Sequence, residues 1–234
     1  MIKQIFLTVL FASVFHAYGQ QEISFEKAKL YIDGINGFLG NKQLYIRAEA
    51  YSYSVSDPVN PSDMVEFSIA RKNSCTFVKL KEQESYINGD YSVQIDTMEK
   101  SIMVSDARNL PYSKIDINDL NFCESISMQQ VKGSSYLMVF KLKPGNQYAQ
   151  VEIMFDTTTQ VLQKVMMEFQ VTSNSIKEKD TRKIEIFYRQ VQTSIPGHMN
   201  TCLAGDIIKV GRKREVEIKS KQYINYTIIN LLEL

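Results

Sequence analysis

Tyr91-Ser-Val-Gln-Ile-Asp-Thr-Met-Glu-Lys-Ser-Ile-Met-Val-Ser105 is the stretch on which the fold turns. Val93 and Ile95 alternate with Ser92 and Gln94, and Ile102 and Val104 alternate with Met103 and Ser105. Between the two runs, Asp96-Thr-Met-Glu-Lys100 is short and polar. A period of two on both sides of such a break is the pattern of a β-hairpin, with strands over Tyr91–Ile95 and Ile102–Val104.

The same period recurs in both directions. Leu44, Ile46, Ala48 and Ala50 alternate with Tyr45, Arg47, Glu49 and Tyr51, and Asp57-Pro-Val-Asn-Pro61 breaks that strand. Val65, Phe67 and Ile69 follow, then Thr76–Leu80. Later runs cover 136–142, 150–155, 161–171 and 183–188. Ile207–Val210 and Val216–Ile218 flank Gly211-Arg-Lys-Arg214 as a second hairpin, and 226–229 is a last strand. That makes about ten or eleven strands. Two stretches depart from the pattern. Over Ser24–Leu39 the apolar residues Phe25, Ala28, Ile32, Ile35 and Leu39 recur at helical spacing behind a capping serine. Over 106–131 the alternation is lost, and Ile115, Ile117, Leu120, Phe122, Cys123 and Ile126 suit one or two helical turns. The expected fold class is α+β, mainly β. It is one domain over residues 20–234, built on an antiparallel sheet that the N-terminal helix and a mid-chain helical segment cover.

Met1–Gly19 reads as a secretory signal peptide: Lys3, an apolar run from Ile5 to Phe15, then Ala17-Tyr-Gly19 before a cut at Gln20. The run is shorter than the ~20 residues that span a bilayer. No later stretch is long and apolar enough to do so, and the expected location is the periplasm or the exterior. Basic residues number 27 and acidic ones 26; without Lys3 they balance. Near-neutrality argues against a nucleic-acid binder. Hydrophobic residues at 44% and charged ones at 23% exclude wholesale disorder. Cys75, Cys123 and Cys202 are too few and too odd in number for a disulfide framework. Mostly buried thiols are expected, with a single bridge as the alternative.

Chemistry is sparse. Past the leader the one histidine is His198, which shares a loop with Cys202 but has no further ligands or orienting partner in view. Asp116-Ile-Asn-Asp-Leu-Asn121 lacks the glycine a calcium loop needs at its sixth position and reads as a helix cap. There is no nucleophile elbow, phosphate loop or dinucleotide fingerprint. A carboxylate pair such as Asp90 with Asp96 stays open as a glycosidase arrangement. The expectation is a non-enzyme without cofactor or metal. Arg212, Lys213 and Arg214, with Lys209, Lys219 and Lys221 nearby, form a basic hairpin diluted by Glu215 and Glu217. It suits either lipid headgroups or an acidic partner, or a solvated turn that guards a sheet edge.

The affirmative signal is one apolar face carried across the strands: Val65, Phe67, Ile69, Ile95, Val104, Met138, Phe140, Ile153, Phe155, Met167, Phe169 and Ile186. Methionines among them can repack around variable apolar ligands. The alternative is that the helix and the mid-chain segment fill that face.

The order of elements resembles a known family. An export leader is followed by a helix ending in Gly37-Phe-Leu-Gly40, a Tyr45-x-Arg47-x-Glu49-x-Tyr51 strand, the 91–105 hairpin and further paired strands. This is similar to the periplasmic lipoprotein-carrier half-barrels of the LolA/LolB type, in the divergent envelope versions of Bacteroidetes-like bacteria. The resemblance implies an unclosed, curved antiparallel sheet whose concave apolar face lies under helices and holds acyl chains. It assigns no lid-closing residue, and Arg47, the only basic residue in its strand, is a separate candidate for that part. The expected function is an exported, non-enzymatic protein that binds a lipid or a lipidated protein on that face. The alternative is an envelope assembly component that docks a protein partner through edge strands or the basic hairpin.

Overall fold

The computed structural model describes residues 20–88, 90–107, 122–170, 180–197 and 204–232. The expected leader, the helical turns over 115–121, His198 and Cys202 lie outside the described residues.

The elements run β1 (Gln21–Glu22), α1 (Phe25–Leu39), β2 (Gln43–Ser54), β3 (Asp63–Lys72), β4 (Cys75–Leu80), β5 (Gln83–Ile87), β6 (Tyr91–Asp96) and β7 (Ser101–Asp106). They continue as β8 (Cys123–Lys132), β9 (Ser135–Leu142), β10 (Tyr148–Asp156), β11 (Leu162–Phe169), β12 (Thr181–Gln192), α2 (Ala204–Ile207), β13 (Ile208–Val210), β14 (Val216–Ile218) and β15 (Thr227–Asn230). One open sheet carries the order β1-β8-β9-β10-β11-β12-β2-β3-β4-β5-β6-β7-β15, and β13 and β14 form a separate ribbon. The chain is therefore mainly β, as expected.

Local chemistry fixes the turns. In the β6–β7 turn, Asp96 Oδ1 accepts the amides of Met98 and Glu99, both at 2.9 Å, and Lys100 takes a left-handed φ of 49°. The β10–β11 turn repeats this. Asp156 Oδ1 accepts Thr158 N at 2.9 Å and Thr159 N at 2.7 Å, and Gln160 has φ 60°. An aspartate that folds back onto its own backbone two and three residues on nucleates each reversal.

Several expectations are corrected. Gln83–Ile87 is a strand of its own. Cys123 and Ile126 belong to β8, not to helical turns. In β8, Ile126 and Met128 do alternate with Ser125 and Ser127, but the flanking Glu124, Gln129 and Gln130 dilute the signal. The last strand pairs with β7 in parallel, Thr227 opposite Ser101 through Asn230 opposite Val104, so the sheet is antiparallel except at this edge.

The chain folds into two compact units that interleave along the sequence, sharing α1, β2 and β12. In the first, α1 lies with β8–β11. Ser24 caps the helix, its Oγ accepting Lys27 N at 3.3 Å. Ala28, Ile32 and Ile35 form a stripe with no exposure at all. Tyr31 packs its ring 5.4 Å from that of Phe155.

In the second unit, β2–β7 carry a core of Tyr45, Ala70, Phe77, Tyr86, Val93, Ile95, Ile102 and Val104. Ile207, Ile208, Tyr223 and Leu232 from the C-terminal segment seal it. The cover of this core is therefore not the N-terminal helix that the sequence suggested.

Candidate functional site

Residues directly opposite one another in neighbouring strands share a face of the sheet, and successive residues alternate faces. The register thus decides which apolar side chains lie together. In the second unit one row runs Tyr45, Ala70, Phe77, Tyr86, Val93, Val104, and it is the sealed core just described. The adjacent row runs Ile46, Ile69, Val78, Ser85, Gln94, Met103 and lies on the opposite face.

Val65, Phe67 and Ile69 occupy this second face. Ile95 and Val104 occupy the first. The single apolar face read from the sequence is therefore two faces, divided at the β3–β4 turn. Ile95 and Val104 are fully buried under the C-terminal segment, whereas Val65, Phe67 and Ile69 are half-buried. Ile186 joins the latter: its neighbour Phe187 meets Tyr51 edge-on at 5.7 Å on the first face, so Ile186 points the other way. Tyr188 is on the same side of β12 as Ile186, and burial pushes its phenol up to about 12.

The last turn of α1 closes one border of the second face. Arg71 Nη1 donates to the Leu39 carbonyl at 2.7 Å, and Leu39 is buried, as are Leu44, Ile46 and Ala48 on β2. Burial pushes the Arg71 guanidinium below its ordinary value. Beyond β2, the face over β3 and β4 is only half-buried: Val65, Phe67, Ile69 and Val78 each retain some access to solvent.

In the first unit, Met138, Phe140, Ile153, Phe155, Met167 and Phe169 do share one face, through Met138 opposite Ile153, Phe140 opposite Val151 and Val151 opposite Met167. Met138, Phe140, Ile153 and Phe155 are at most 3% exposed, and Phe155 meets Tyr31 of α1. Met167 and Phe169 are half-buried, and the Phe169 ring lies 5.0 Å from that of Tyr148.

Arg47 points away from the half-buried apolar face. It shares the side of Tyr45 and pairs with Glu66 at 2.5 Å. Beside it, Arg189 holds Glu49 through Nε and Nη2 at 3.0 and 2.7 Å, and the Glu49 carboxyl falls below the usual carboxylate range. These charges form a ladder of partly exposed ion pairs on the face of Tyr45.

The basic hairpin divides too. Arg212 and Lys213 are exposed at its tip. Arg214, at φ 63°, donates to the Leu232 carbonyl at 2.6 Å and lies 3.8 Å from Asp106, so it fastens the ribbon to the chain beyond β15. Among the described residues no set of three His, Cys, Asp or Glu side chains is placed to hold a metal ion, and no helix is long and apolar enough to cross a membrane. Cys75 is a half-buried free thiol, and Cys123 is half-buried.

The polar residues of the second face, Ser85 and Gln94, escaped the sequence reading. Nothing in an alternating strand says which alternate is turned toward a neighbour's apolar residues. Only the register does.

No protein-family model matches the sequence, and no curated protein matches it. Among solved structures the chain is similar to the Pseudomonas aeruginosa MucA/MucB complex, at a TM-score of 0.48 and 12% identity, over 77% of this chain and 62% of that one. It is also similar to an uncharacterized conserved protein of Thermus thermophilus (TM-score 0.43, 7% identity, 72% of this chain and 88% of that chain). A LolA superfamily protein of Nitrosomonas europaea gives a TM-score of 0.32 and 9% identity, over 74% of this chain and 96% of that chain. At these identities the likeness assigns no residue a role.

Proposed function

We propose that the protein is an exported, non-enzymatic carrier that holds a hydrophobic ligand, a lipid or the acyl chain of a lipoprotein, against the half-buried sheet face of Val65, Phe67, Ile69 and Ile186. Met167 and Phe169 offer a further apolar surface of the same kind. The observation that carries this reading is a contrast. One face of β3–β7 is packed under the C-terminal segment, while the other leaves large apolar side chains only partly covered. Burial alone would supply the affinity, at about 25 cal/mol per Å² of apolar surface removed from water, offset by ordering of the ligand. Residue types that hold acyl chains through contact rather than chemistry fit that task. The signal sequence read at Met1–Gly19 would take the chain to the periplasm or beyond.

The test is native mass spectrometry of the protein isolated from its own cell envelope. Lipid is expected to accompany it, and Phe67→Glu is expected to abolish that lipid while the chain still unfolds cooperatively in urea, at a lowered midpoint. A wild-type protein that never carries a ligand, before or after exposure to lipid extract, would sink the carrier reading.

A second reading has the exposed Arg212 and Lys213 dock an acidic envelope partner, with Arg214 holding the turn rigid behind them. Charge reversal of Arg212 and Lys213 should then release that partner and leave bound lipid untouched.

A further inference from the structure

The half-buried face of the second unit changes character across its width. Its middle row begins with Ile46, Ile69 and Val78 and ends with Ser85, Gln94 and Met103. On the row toward the β3–β4 turn, Thr76 and Ile87 lead to Ser92 and Ser105, whose hydroxyls meet at 3.1 Å. Along the middle row β2 to β4 thus present hydrocarbon, and β5 and β6 a hydroxyl and a carboxamide. Over β5 to β7 the face is mostly uncharged and polar, with Gln83 a second carboxamide, Ile87 and Met103 apolar, and Asp96 at the border.

No charged side chain lies in the middle row. The nearest on this face are at its borders, and each is engaged. Arg71 donates to the Leu39 carbonyl, and the Asp96 carboxylate accepts the turn amides and Gln83 Nε2 at 3.2 Å. Ser85 and Gln94 stand directly opposite each other and are both half-buried. A serine hydroxyl and a glutamine amide together offer donors and acceptors without charge. A carboxylate or phosphate brought there would lose hydration and gain no cation, a costly exchange, whereas a hydroxyl, ester or amide could be matched bond for bond.

We propose that this face takes a neutral amphiphile laid across the strands, its acyl chain on Phe67, Ile69 and Val78 and its uncharged polar head on Ser85 and Gln94. The inference rests on the carrier reading above and specifies its ligand class: acylglycerol-like or amide-linked acyl groups rather than free fatty acids or acidic phospholipids.

The experiment uses the delipidated full chain at pH 8 and two probes with the same chain, monododecanoylglycerol and dodecanoate, titrated calorimetrically. Monododecanoylglycerol is expected to bind at least tenfold more tightly. The double variant Ser85→Val/Gln94→Leu, whose replacements favour strands, should fold with an unchanged urea midpoint and lose about tenfold for monododecanoylglycerol alone. Phe67→Glu should weaken both probes. Equal or tighter binding of dodecanoate, especially if Arg71→Gln removes it, would overturn the neutral-head assignment while leaving the carrier reading standing. So would a double variant that binds both probes as the wild type does. A wild-type protein that binds neither probe would bring down the carrier reading, and the assignment with it.

Discussion

Arg71 on β3 reaches the carbonyl of Leu39, the last residue of α1, at 2.7 Å. The final turn of α1 contains no basic residue. Its exposed carbonyl dipoles are met instead by a cation from the sheet, together with Gly40 N on the Asn36 carbonyl at 2.8 Å and Asn41 Nδ2 on the Phe38 carbonyl at 2.8 Å. This one hydrogen bond fastens the helix end beside the border of the candidate site. Arg71→Ala should cost about 1–3 kcal/mol, since it strands a half-buried carbonyl and removes a charge-assisted bond. Urea unfolding measures the loss. Faster hydrogen exchange confined to the Gly40 and Asn41 amides would locate it, and unchanged exchange there would contradict the fastening role.

Phe155 and Phe67 are both strand phenylalanines, yet they should respond oppositely to truncation. Phe155 is fully buried beneath Tyr31, so Phe155→Ala should destabilise by about 3–5 kcal/mol. Phe67 is half-buried, so Phe67→Ala should cost clearly less, while lowering the lipid recovered with the protein. Equal losses of stability in the two variants would mean that the Phe67 face is as solid as the core.

Two turn aspartates set an acid limit. Hydrogen bonds from the Glu99 backbone and the Gln83 side chain hold the Asp96 carboxyl below its usual range. The Ser134 hydroxyl and the Thr159 backbone do the same for Asp156. A carboxyl lowered in the folded state contributes stability that is complete above the unfolded value, about 3.9, and is lost as pH falls through the folded one. Both turns should therefore keep their geometry at pH 4 and loosen only below it. Carbon-detected NMR titration of the two carboxyls gives the midpoints, and a midpoint at or above the ordinary aspartate value in either would refute the turn bonding.

Tyr188 sets the corresponding alkaline limit. Its folded value of about 12 exceeds the ordinary value near 10, so the stability tied to its neutral phenol is complete below pH 10 and lost as pH rises toward 12. Ultraviolet titration should show one tyrosine ionising late, and Tyr188→Phe should remove that late step.

Much of this was legible in the residues. The 91–105 hairpin stands where its alternation placed it, and the capped helix spans Phe25–Leu39 as its apolar spacing required. The division of the apolar face was not legible. Alternation within β3 says that Ile69 and Ala70 point apart, but not which of them shares a side with Val93. The tight Asn73–Ser74 turn answers that by placing Ala70 opposite Phe77, and a shift of one residue there would have exchanged the two faces. Strand β5 was missed because its sequence, Gln-Glu-Ser-Tyr-Ile, has polar residues on both alternates. The parallel placement of β15 depends on a long-range return of the chain that no local pattern encodes.

That return governs how the molecule can be made. Val93, Ile95, Ile102 and Val104 are roofed by Ile207, Ile208, Tyr223 and Leu232, so a growing polypeptide displays a bare greasy wall until more than a hundred further residues have followed the 91–105 hairpin. A ribosome stalled just past β12 would leave that wall open to chaperones and proteases, and the finished chain would escape both.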